Sequence, residues 1–291
     1  MSGEEQYLEL LKTVREFGEL RETRNSVTRS IFGARMVFNL EDNTIPLLTT
    51  KHVSFRNIFY ELKWFLSGST DTYYLKERKI KIWDANSTRE FLDARGLTDV
   101  PEGFIGPGYG HQFRHSGAPY DPKRDPSEAY GFDQVKDTQN LIRNDPMSRR
   151  IVMTLWAPSQ TSQIALPSCH GSLIQFYVRK GKYLDCFTHQ RSCDLYLGCP
   201  YNIASYSLLT HMLAKSCNLK PGILNYSFGD THLYENSIEA AYIQSTRVPG
   251  EFPKIRFKET RDNIWEYEYR DIEIIDYKPC LDPLPSVKMV A

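Results

Sequence analysis

Cys169 is the residue of this sequence best suited to covalent chemistry, because a cysteine thiolate is a strong nucleophile. It lies at the end of a proline-marked turn, in Ala165-Leu-Pro-Ser-Cys-His170. A later segment brings Arg191 and Ser192 in succession. A guanidinium beside a thiol favours the thiolate, so a contact between Cys169 and Arg191 would lower the pKa of the thiol.

A β-hairpin between the two segments would create that contact. A short lysine-rich turn separates two β-rich runs and is typical of a hairpin connection. With a two-residue loop at Lys180–Gly181, Cys169 lies opposite Ser192, and a slip of one residue still leaves it beside Arg191. The alternative is that Cys169 is a buried, unreactive thiol, which is the usual environment of a cysteine.

Two groups of arginines could bind an anion such as phosphate, because the guanidinium fork matches phosphate oxygens. Arg21, Arg24 and Arg29 lie in a polar stretch near the N-terminus, and Arg149 and Arg150 precede a predicted strand. The alternative for both groups is a solvated surface.

Glu61 lies in an aromatic-rich predicted helix, beside Leu62 and near Trp64. Buried carboxylates are rarely unpaired, so the position needs a reason. Glu61 either forms a salt bridge or works as an acid or base with a shifted pKa.

The elements that position these groups follow from hydrophobic periodicity. We predict helices at residues 4–18, 53–66, 132–144 and 202–217, and a further helix that ends near residue 246. We predict strands at residues 31–40, 46–50 and 151–156, in the central hairpin, at 254–258 and at 265–275. No repeat or low-complexity linker divides the chain. We therefore predict one α+β domain, residues 1–291, with a large mixed sheet packed by helices and a loop-rich insertion at about 87–130.

Composition argues against several classes of partner. Lys plus Arg equals Asp plus Glu at 36 each, so no overall charge attracts nucleic acid or an anionic membrane. We expect no secretory signal and no membrane span, because no suitable apolar run is present. The six cysteines form no CxxC pair, and we expect no metal. These features predict reduced thiols and a cytoplasmic location, with a nuclear one left open.

Several motifs occur in one order along the chain. They are Ser30-Ile-Phe-Gly33, Leu48-Thr-Thr-Lys51, Lys81-Ile-Trp-Asp84, Cys169-His170, Gln190-Arg-Ser-Cys-Asp194, Leu197-Gly-Cys-Pro-Tyr-Asn202 and Gly229-Asp-Thr-His-Leu-Tyr234. Over nearly the whole chain they resemble the thymidylate synthase family, and the insertion is similar to that of eukaryotic or viral members.

The resemblance implies a homodimer, packed sheet to sheet, that methylates dUMP to dTMP. The carbon donor and reductant would be 5,10-methylenetetrahydrofolate. Cys169 would attack C6 of the uracil, and Arg191 would support it as well as bind phosphate. Glu61 would move protons at O4 through ordered water, and Tyr109 would take part in removal of the C5 proton.

The resemblance also implies binding residues. For dUMP they are Arg24, Arg149 and Arg150 (the last two from the other subunit), Gln190, Arg191, Ser192, Asp194, Asn202, His232 and Tyr234. For the folate they are Ile82, Trp83, Asp194, Leu197, Gly198, Tyr201 and Ala291. The amide of Asn202 suits uracil, because it can donate to O4 and accept from N3–H, whereas cytosine presents the opposite pattern. His232 and Tyr234 would hold the ribose 3′-hydroxyl, unless they merely pack at a helix start.

The sequence departs from the family pattern at several places near the predicted site, and two of these, the Arg24 loop and the tail, open an alternative. The loop around Arg24 lacks glycine, with Arg21 and Arg29 as other candidates for the phosphate clamp. One extra residue before Gln175 suggests a bulge next to Cys169. The closing tail, residues 286–291, ends at Ala291, about two residues short of the usual ending. Incomplete closure would let water trap the methylene, giving hydroxymethylation of dUMP or dCMP. A third hypothesis is a non-catalytic relative that binds nucleotide or RNA.

Overall fold

A mixed β-sheet of six strands lies at the centre of the protein, whose structure, a computed structural model, describes residues 3–23 and 26–290. The strands are β1 Glu19–Glu22, β2 Val27–Asn39, β3 Val152–Met153, β4 Leu173–Arg179, β5 Tyr183–Asp194 and β6 Lys220–Tyr234. Their spatial order is β1-β2-β6-β5-β4-β3, with β5 and β6 parallel and the other neighbours antiparallel. A separate antiparallel pair consists of β7 Lys254–Phe257 and β8 Ile272–Ile275.

Helices make up much of the rest of the described chain, and the first, sixth and seventh of them pack directly against the sheet. They are α1 Glu5–Phe17, α2 Phe55–Leu66, α3 Tyr73–Lys76, α4 Arg89–Ala94, α5 Tyr109–His115, α6 Gln134–Asn144, α7 Gly198–Ser216 and α8 Ile238–Ser245. The Ser54 hydroxyl accepts a hydrogen bond from the Asn57 N–H and so begins α2. Most residues of α7 are buried, which explains why its sequence has no charged residue before Lys215. The result is a single α+β domain, as predicted, and the four predicted helices and α8 are confirmed.

Three strand predictions were wrong in whole or in part. Residues 46–50 form no strand, because Pro46 lacks an N–H and the buried Glu4 carboxylate takes the N–H groups of Thr49 (2.6 Å) and Thr50 (3.0 Å). The strand predicted at 151–156 is limited to β3, and the one predicted at 265–275 consists of two 3₁₀ turns followed by β8.

The hairpin between β4 and β5 has a different loop from the predicted one. The ladder ends with Arg179 opposite Tyr183, so the loop contains three residues. Lys180 and Gly181 both have left-handed φ values, of 56° and 61°. The predicted two-residue loop was therefore wrong by one residue.

The contact expected beside Cys169 is nevertheless present. The Ser192 N–H donates to the Cys169 carbonyl at 3.4 Å. The ladder is interrupted before β4 by Gly171, whose φ of 68° turns the chain out of the strand conformation. This irregularity lies where an extra residue predicted a bulge, and it offsets the one-residue change in the loop.

The other side of the sheet, here called the open face, carries partly exposed apolar side chains. Tyr177 is 60% exposed, and Leu173 and Phe187 are each 36% exposed. By strand register, Val37 of β2 and Ile223 of β6 share this face. Within the described residues, no helix is long and apolar enough to cross a membrane.

Candidate active site

Cys169 lies half-buried in the loop that precedes β4, in contact with Tyr109 from the start of α5. The Cys169 N–H donates to the Tyr109 hydroxyl oxygen at 3.0 Å, and that oxygen lies 3.4 Å from the sulfur. Because the oxygen already accepts one hydrogen bond, its own proton is free to point at the sulfur. Such a donor stabilises a thiolate.

The predicted lowering of the Cys169 pKa was wrong. Burial raises the pKa of the Cys169 thiol, and the Tyr109 hydrogen bond and the Arg191 charge offset that rise only in part. Arg191 is directed at the loop, because its Nε and Nη2 atoms donate to the carbonyls of Ser168 (2.9 Å) and Pro167 (2.8 Å). Its guanidinium also lies 4.8 Å from the centre of the Trp156 ring. Desolvation of the thiol therefore outweighs a nearby but already hydrogen-bonded cation.

Tyr109 is held rigidly by aromatic neighbours. Its ring stacks on Phe65 at 4.6 Å and packs against His170 at 4.5 Å. Burial raises the pKa of Tyr109 well above its usual range, so the hydroxyl stays protonated. His170 is hydrogen-bonded to the Tyr206 hydroxyl at 2.8 Å, and burial lowers its pKa to about 3. A neutral imidazole therefore supports Tyr109, a role that the sequence did not indicate.

Glu61 has no salt-bridge partner among the described residues, which favours the second of its two predicted roles. On α2, its Oε1 accepts a hydrogen bond from the Trp83 indole N–H at 2.8 Å. Burial raises the pKa of Glu61 to about 7, and the hydrogen bond from Trp83 opposes that rise. The Trp83 ring lies 5.8 Å from the Tyr109 ring, so Glu61, Trp83, Tyr109 and Cys169 form one continuous cluster.

Asp194, Gly198 and Asn202 meet where β5 ends and α7 begins. Asp194 Oδ1 accepts the N–H groups of Tyr196 (3.1 Å) and Leu197 (3.0 Å). A Cβ on Gly198 would stand 3.8 Å from both the Asn202 amide nitrogen and Asp194 Cβ. The Asn202 side chain is buried and makes no hydrogen bond to another described residue, so its amide is available to a ligand.

Lys51 belongs to the same region, although no role was predicted for it. Its Nζ donates to the Tyr196 carbonyl and lies 3.9 Å from the centre of the Tyr196 ring. Burial lowers the pKa of Lys51 to about 8, while burial raises the pKa of Asp194. Its place in the Leu48–Lys51 motif was the available signal.

His232 and Tyr234 lie on β6, next to the end of β5. Asp194 pairs with His232 in the sheet, and the Leu195 N–H donates to the His232 carbonyl at 2.9 Å. The His232 and Tyr234 rings pack edge to face at 5.1 Å. The two residues thus lie at the end of β6 beside Asp194, and Tyr234 also precedes the 3₁₀ turn Glu235–Ser237 that leads into α8.

The remaining predicted residues lie at various distances from this cluster. Gln190 is buried with both ends of its amide occupied, by the Ser192 carbonyl (2.9 Å) and the Tyr226 hydroxyl (2.8 Å). Arg149 and Arg150 are exposed before β3. Ile82, Leu197 and Tyr201 are partly buried and pack against the hydrophobic core that includes Trp83. Arg24 and Ala291 lie outside the described residues.

Within residues 3–23 and 26–290, no three His, Cys, Asp or Glu side chains are grouped as metal ligands.

Comparison with known proteins adds independent information. Residues 5–290 match the family model described as thymidylate synthase. The chain is 44% identical over 286 residues to "Thymidylate synthase" of Saccharomyces cerevisiae, covering 95% of this chain and 94% of that protein. It is 43% identical over 277 residues to "Thymidylate synthase" of Ascaris suum, covering 95% and 94%.

Longer relatives also match. The chain is 46% identical over 288 residues to "Bifunctional dihydrofolate reductase-thymidylate synthase" of Leishmania major, covering 98% of this chain and 54% of that protein. The chain therefore spans about half the length of the bifunctional relatives that it matches.

Proposed function

Because the chain belongs to the thymidylate synthase family, we propose that it methylates dUMP to dTMP. The observation that carries the proposal is the Cys169 thiol, which lies against the Tyr109 hydroxyl in a cluster that contains a carboxyl group with a pKa of about 7. The co-substrate is 5,10-methylenetetrahydrofolate, which supplies the methylene carbon and the hydride and leaves as dihydrofolate.

The nucleophile is the Cys169 sulfur, which adds to C6 of the uracil and makes C5 nucleophilic. Its thiolate forms against the cost of burial, with the Tyr109 hydroxyl and Arg191 guanidinium favouring the charged form. Because Arg191 also faces phosphate in this proposal, one guanidinium links the substrate to the loop that carries the thiol. Ser192 lies next to it and joins the phosphate contact.

Proton transfers are proposed for Glu61 and Tyr109. A carboxyl group with a pKa of about 7 exists in both forms near neutral pH, as general acid–base catalysis at O4 requires. Tyr109 stays protonated, so we propose that it orients the water that accepts the C5 proton, rather than acting as a phenolate. Asn202 selects uracil through O4 and N3–H.

The residues at the start of α7 fit the folate. Asp194 uses Oδ1 for backbone N–H groups, and its second oxygen can accept from a pterin N–H. Ile82, Trp83, Leu197 and Tyr201 would form the apolar wall, and Gly198 leaves space beside Asn202. The tail contacts the turn that follows Tyr234, because Asn236 Nδ2 donates to the Lys288 carbonyl at 3.0 Å. We propose that residues 286–291 close over the site.

We further propose a homodimer formed through the open face. Exposed Tyr177, Leu173 and Phe187 are suited to burial against a second copy. Arg191 and Phe187 are four residues apart on β5, and side chains an even number of residues apart on a strand point to the same side of the sheet. A partner packed there could supply Arg149 and Arg150 to the phosphate. All six cysteines are free thiols, which supports a reducing compartment such as the cytoplasm.

The test is a turnover assay with dUMP and methylenetetrahydrofolate, in which dihydrofolate absorbance is followed and the nucleotide is identified by mass. We expect dihydrofolate and dTMP in equal amounts. If the products are tetrahydrofolate and 5-hydroxymethyl-dUMP, the reaction is hydroxymethylation and not methylation. If neither dUMP nor dCMP is converted, both proposed reactions are contradicted. The control is Cys169→Ser, which should bind dUMP without turnover.

A further inference from the structure

Asp230 lies at the centre of a polar network between the edge of the sheet and His232. Its Oδ1 accepts from the His232 Nδ1–H at 2.9 Å and from the Ser30 hydroxyl at 2.8 Å. Its Oδ2 accepts from Arg21 Nη1 at 2.8 Å. Both carboxylate oxygens are therefore engaged, and each bond has a different partner.

The Asp230–His232 contact determines which nitrogen of the imidazole carries the hydrogen. A carboxylate can only accept a hydrogen bond, so Nδ1 must be the donor. In the neutral ring, Nε2 then has a free lone pair. Such a nitrogen can accept a hydrogen bond from a hydroxyl, but it cannot donate one.

Arg21 holds this carboxylate from a strand that does not adjoin β6. In the sheet β2 lies between β1 and β6, so the Arg21 side chain reaches across β2 to Asp230. The ion pair is partly exposed, with side-chain exposures of 50% and 33%. It therefore contributes little to stability, and its main effect is on the orientation of Asp230. The His232 and Ser30 hydrogen bonds and the Arg21 charge all keep the pKa of Asp230 low, so the carboxylate stays charged.

We infer that Arg21 and Asp230 are positioning residues that fix His232 as a hydrogen-bond acceptor for the ribose 3′-hydroxyl of the nucleotide. The inference rests on the proposed function, because it takes dUMP as the ligand of His232. It adds a cause for the selection of a 3′-hydroxyl, namely the Arg21–Asp230–His232 chain of contacts.

The test compares dUMP with 2′,3′-dideoxyuridine 5′-monophosphate, which lacks the 3′-hydroxyl. Wild-type protein should bind dUMP more tightly. Asp230→Asn should weaken dUMP binding by about tenfold, because a charge-assisted hydrogen bond is replaced by a neutral one. It should leave binding of the dideoxy nucleotide unchanged. Arg21→Met should weaken dUMP binding by about threefold, and Arg21→Lys should restore most of that loss.

Turnover provides a second measurement. Because the ribose does not react, the variants should raise KM for dUMP more than they lower kcat. The matched control is Arg256→Met, which removes an exposed arginine–glutamate pair between β7 and β8 and should change neither nucleotide's affinity. Arg21 is half exposed, so its variants do not threaten the core.

Two results would overturn the inference in distinguishable ways. If wild-type protein converts dUMP but the variants keep the full preference for the 3′-hydroxyl, Asp230 and Arg21 have no positioning role and the proposed function stands. If wild-type protein neither binds nor converts dUMP, the proposed function fails and the inference fails with it.

Discussion

At the scale of single residues, a few hydrogen bonds in the site oppose the effect of burial on the pKa values of its acidic groups. The Cys169 thiol and the Glu61 carboxyl are both made less acidic by burial, and each has one close donor that favours its charged form. These donors are the Tyr109 hydroxyl and the Trp83 indole N–H. Both groups are thus placed where a bound substrate can shift their protonation, which a fully solvated thiol or carboxyl would not allow.

The raised pKa of Glu61 predicts a pH-dependent cost of folding. In the unfolded chain the carboxyl ionises near 4.5, and in the folded protein near 7. Stability from this group is therefore complete below pH 4.5 and is lost as pH rises through 7. Glu61→Gln should remove that loss, so the variant should gain on the order of 2 kcal/mol over wild type between pH 5 and pH 8.

Urea unfolding at both pH values measures the change, with Glu251→Gln as an exposed control. A difference between Glu61→Gln and wild type that is equal at the two pH values would contradict the raised pKa.

Base selection can be tested at Asn202. Asn202→Asp should reduce kcat/KM for dUMP and improve it for dCMP, changing their ratio by roughly 10²-fold or more, because the hydrogen-bond pattern is reversed. Asn202→Ala is the control, since it should lose activity with dUMP without gain for dCMP. Unchanged base preference in Asn202→Asp would refute the hydrogen-bond argument.

The order of the motifs predicted Cys169, Glu61 and Tyr109 in one site, and these side chains lie in one continuous cluster. The roles assigned to them and to Asn202 stay predictions. The direction of the Cys169 pKa shift was not predictable, because it depends on how much solvent the fold removes from the sulfur. Asp230 was also missed as a contributor. Its importance lies in a hydrogen bond to His232, and a sequence does not report the direction of side chains.

At the scale of elements, the path between Cys169 and β4 matters more than the hairpin loop. The sequence predicted a hairpin, and register differed by one residue because the loop has three residues. Gly171 compensates by leaving the strand conformation, and a Cβ there would stand 2.4 Å from the Tyr206 hydroxyl and 2.6 Å from a Leu155 methyl. Propensity alone cannot foresee such a close approach, which arises only when α7 packs on the sheet.

Gly171→Ala should therefore damage both stability and activity. It should lose about 1–2 kcal/mol from the left-handed φ and a further 1–3 kcal/mol from overpacking against Tyr206. It should also lower kcat, because Cys169 lies two residues away. Gly181→Ala is the matched control: its φ is 61°, and nothing lies within 4 Å of the added Cβ.

Urea unfolding measures the loss of stability in both variants, and turnover assays measure the change in kcat. The control should show only the backbone cost, with kcat unchanged. Equal losses in the two variants would mean that the contacts around Gly171 do not constrain the nucleophile.

At the scale of the whole molecule, the central sheet has two different faces. One packs against α1 and α7, with α2 on α7 and α8 on α1 in turn, and the other carries the partly exposed Tyr177, Leu173 and Phe187. The positions of α1, α2, α6, α7 and α8 were predictable from periodicity, whereas α3, α4 and α5 were not predicted. The proposed use of the open face, with Arg149 and Arg150 acting on a second copy, depends on a surface that intrachain periodicity does not reveal.

A division of the site between two copies predicts recovery of activity by mixing. Cys169→Ser chains lack the nucleophile, and chains with Arg149→Ala and Arg150→Ala lack the donated arginines. Unfolding and refolding the two together should give mixed dimers with one intact site and one doubly damaged site. Turnover of dUMP should then exceed that of either variant alone, and a mixture no more active than its parts would contradict the donation of arginines.

A dimer formed through the open face would also determine which chain's active site a mutation affects. A chain that loses its own thiol would remain useful, because its arginines still complete the neighbouring site. A chain that loses its arginines would keep its own chemistry but disable that of its neighbour. In a cell with two alleles, an arginine mutation in one allele would therefore damage the site of the chain encoded by the other allele, whereas a thiol mutation would damage only the site of its own chain.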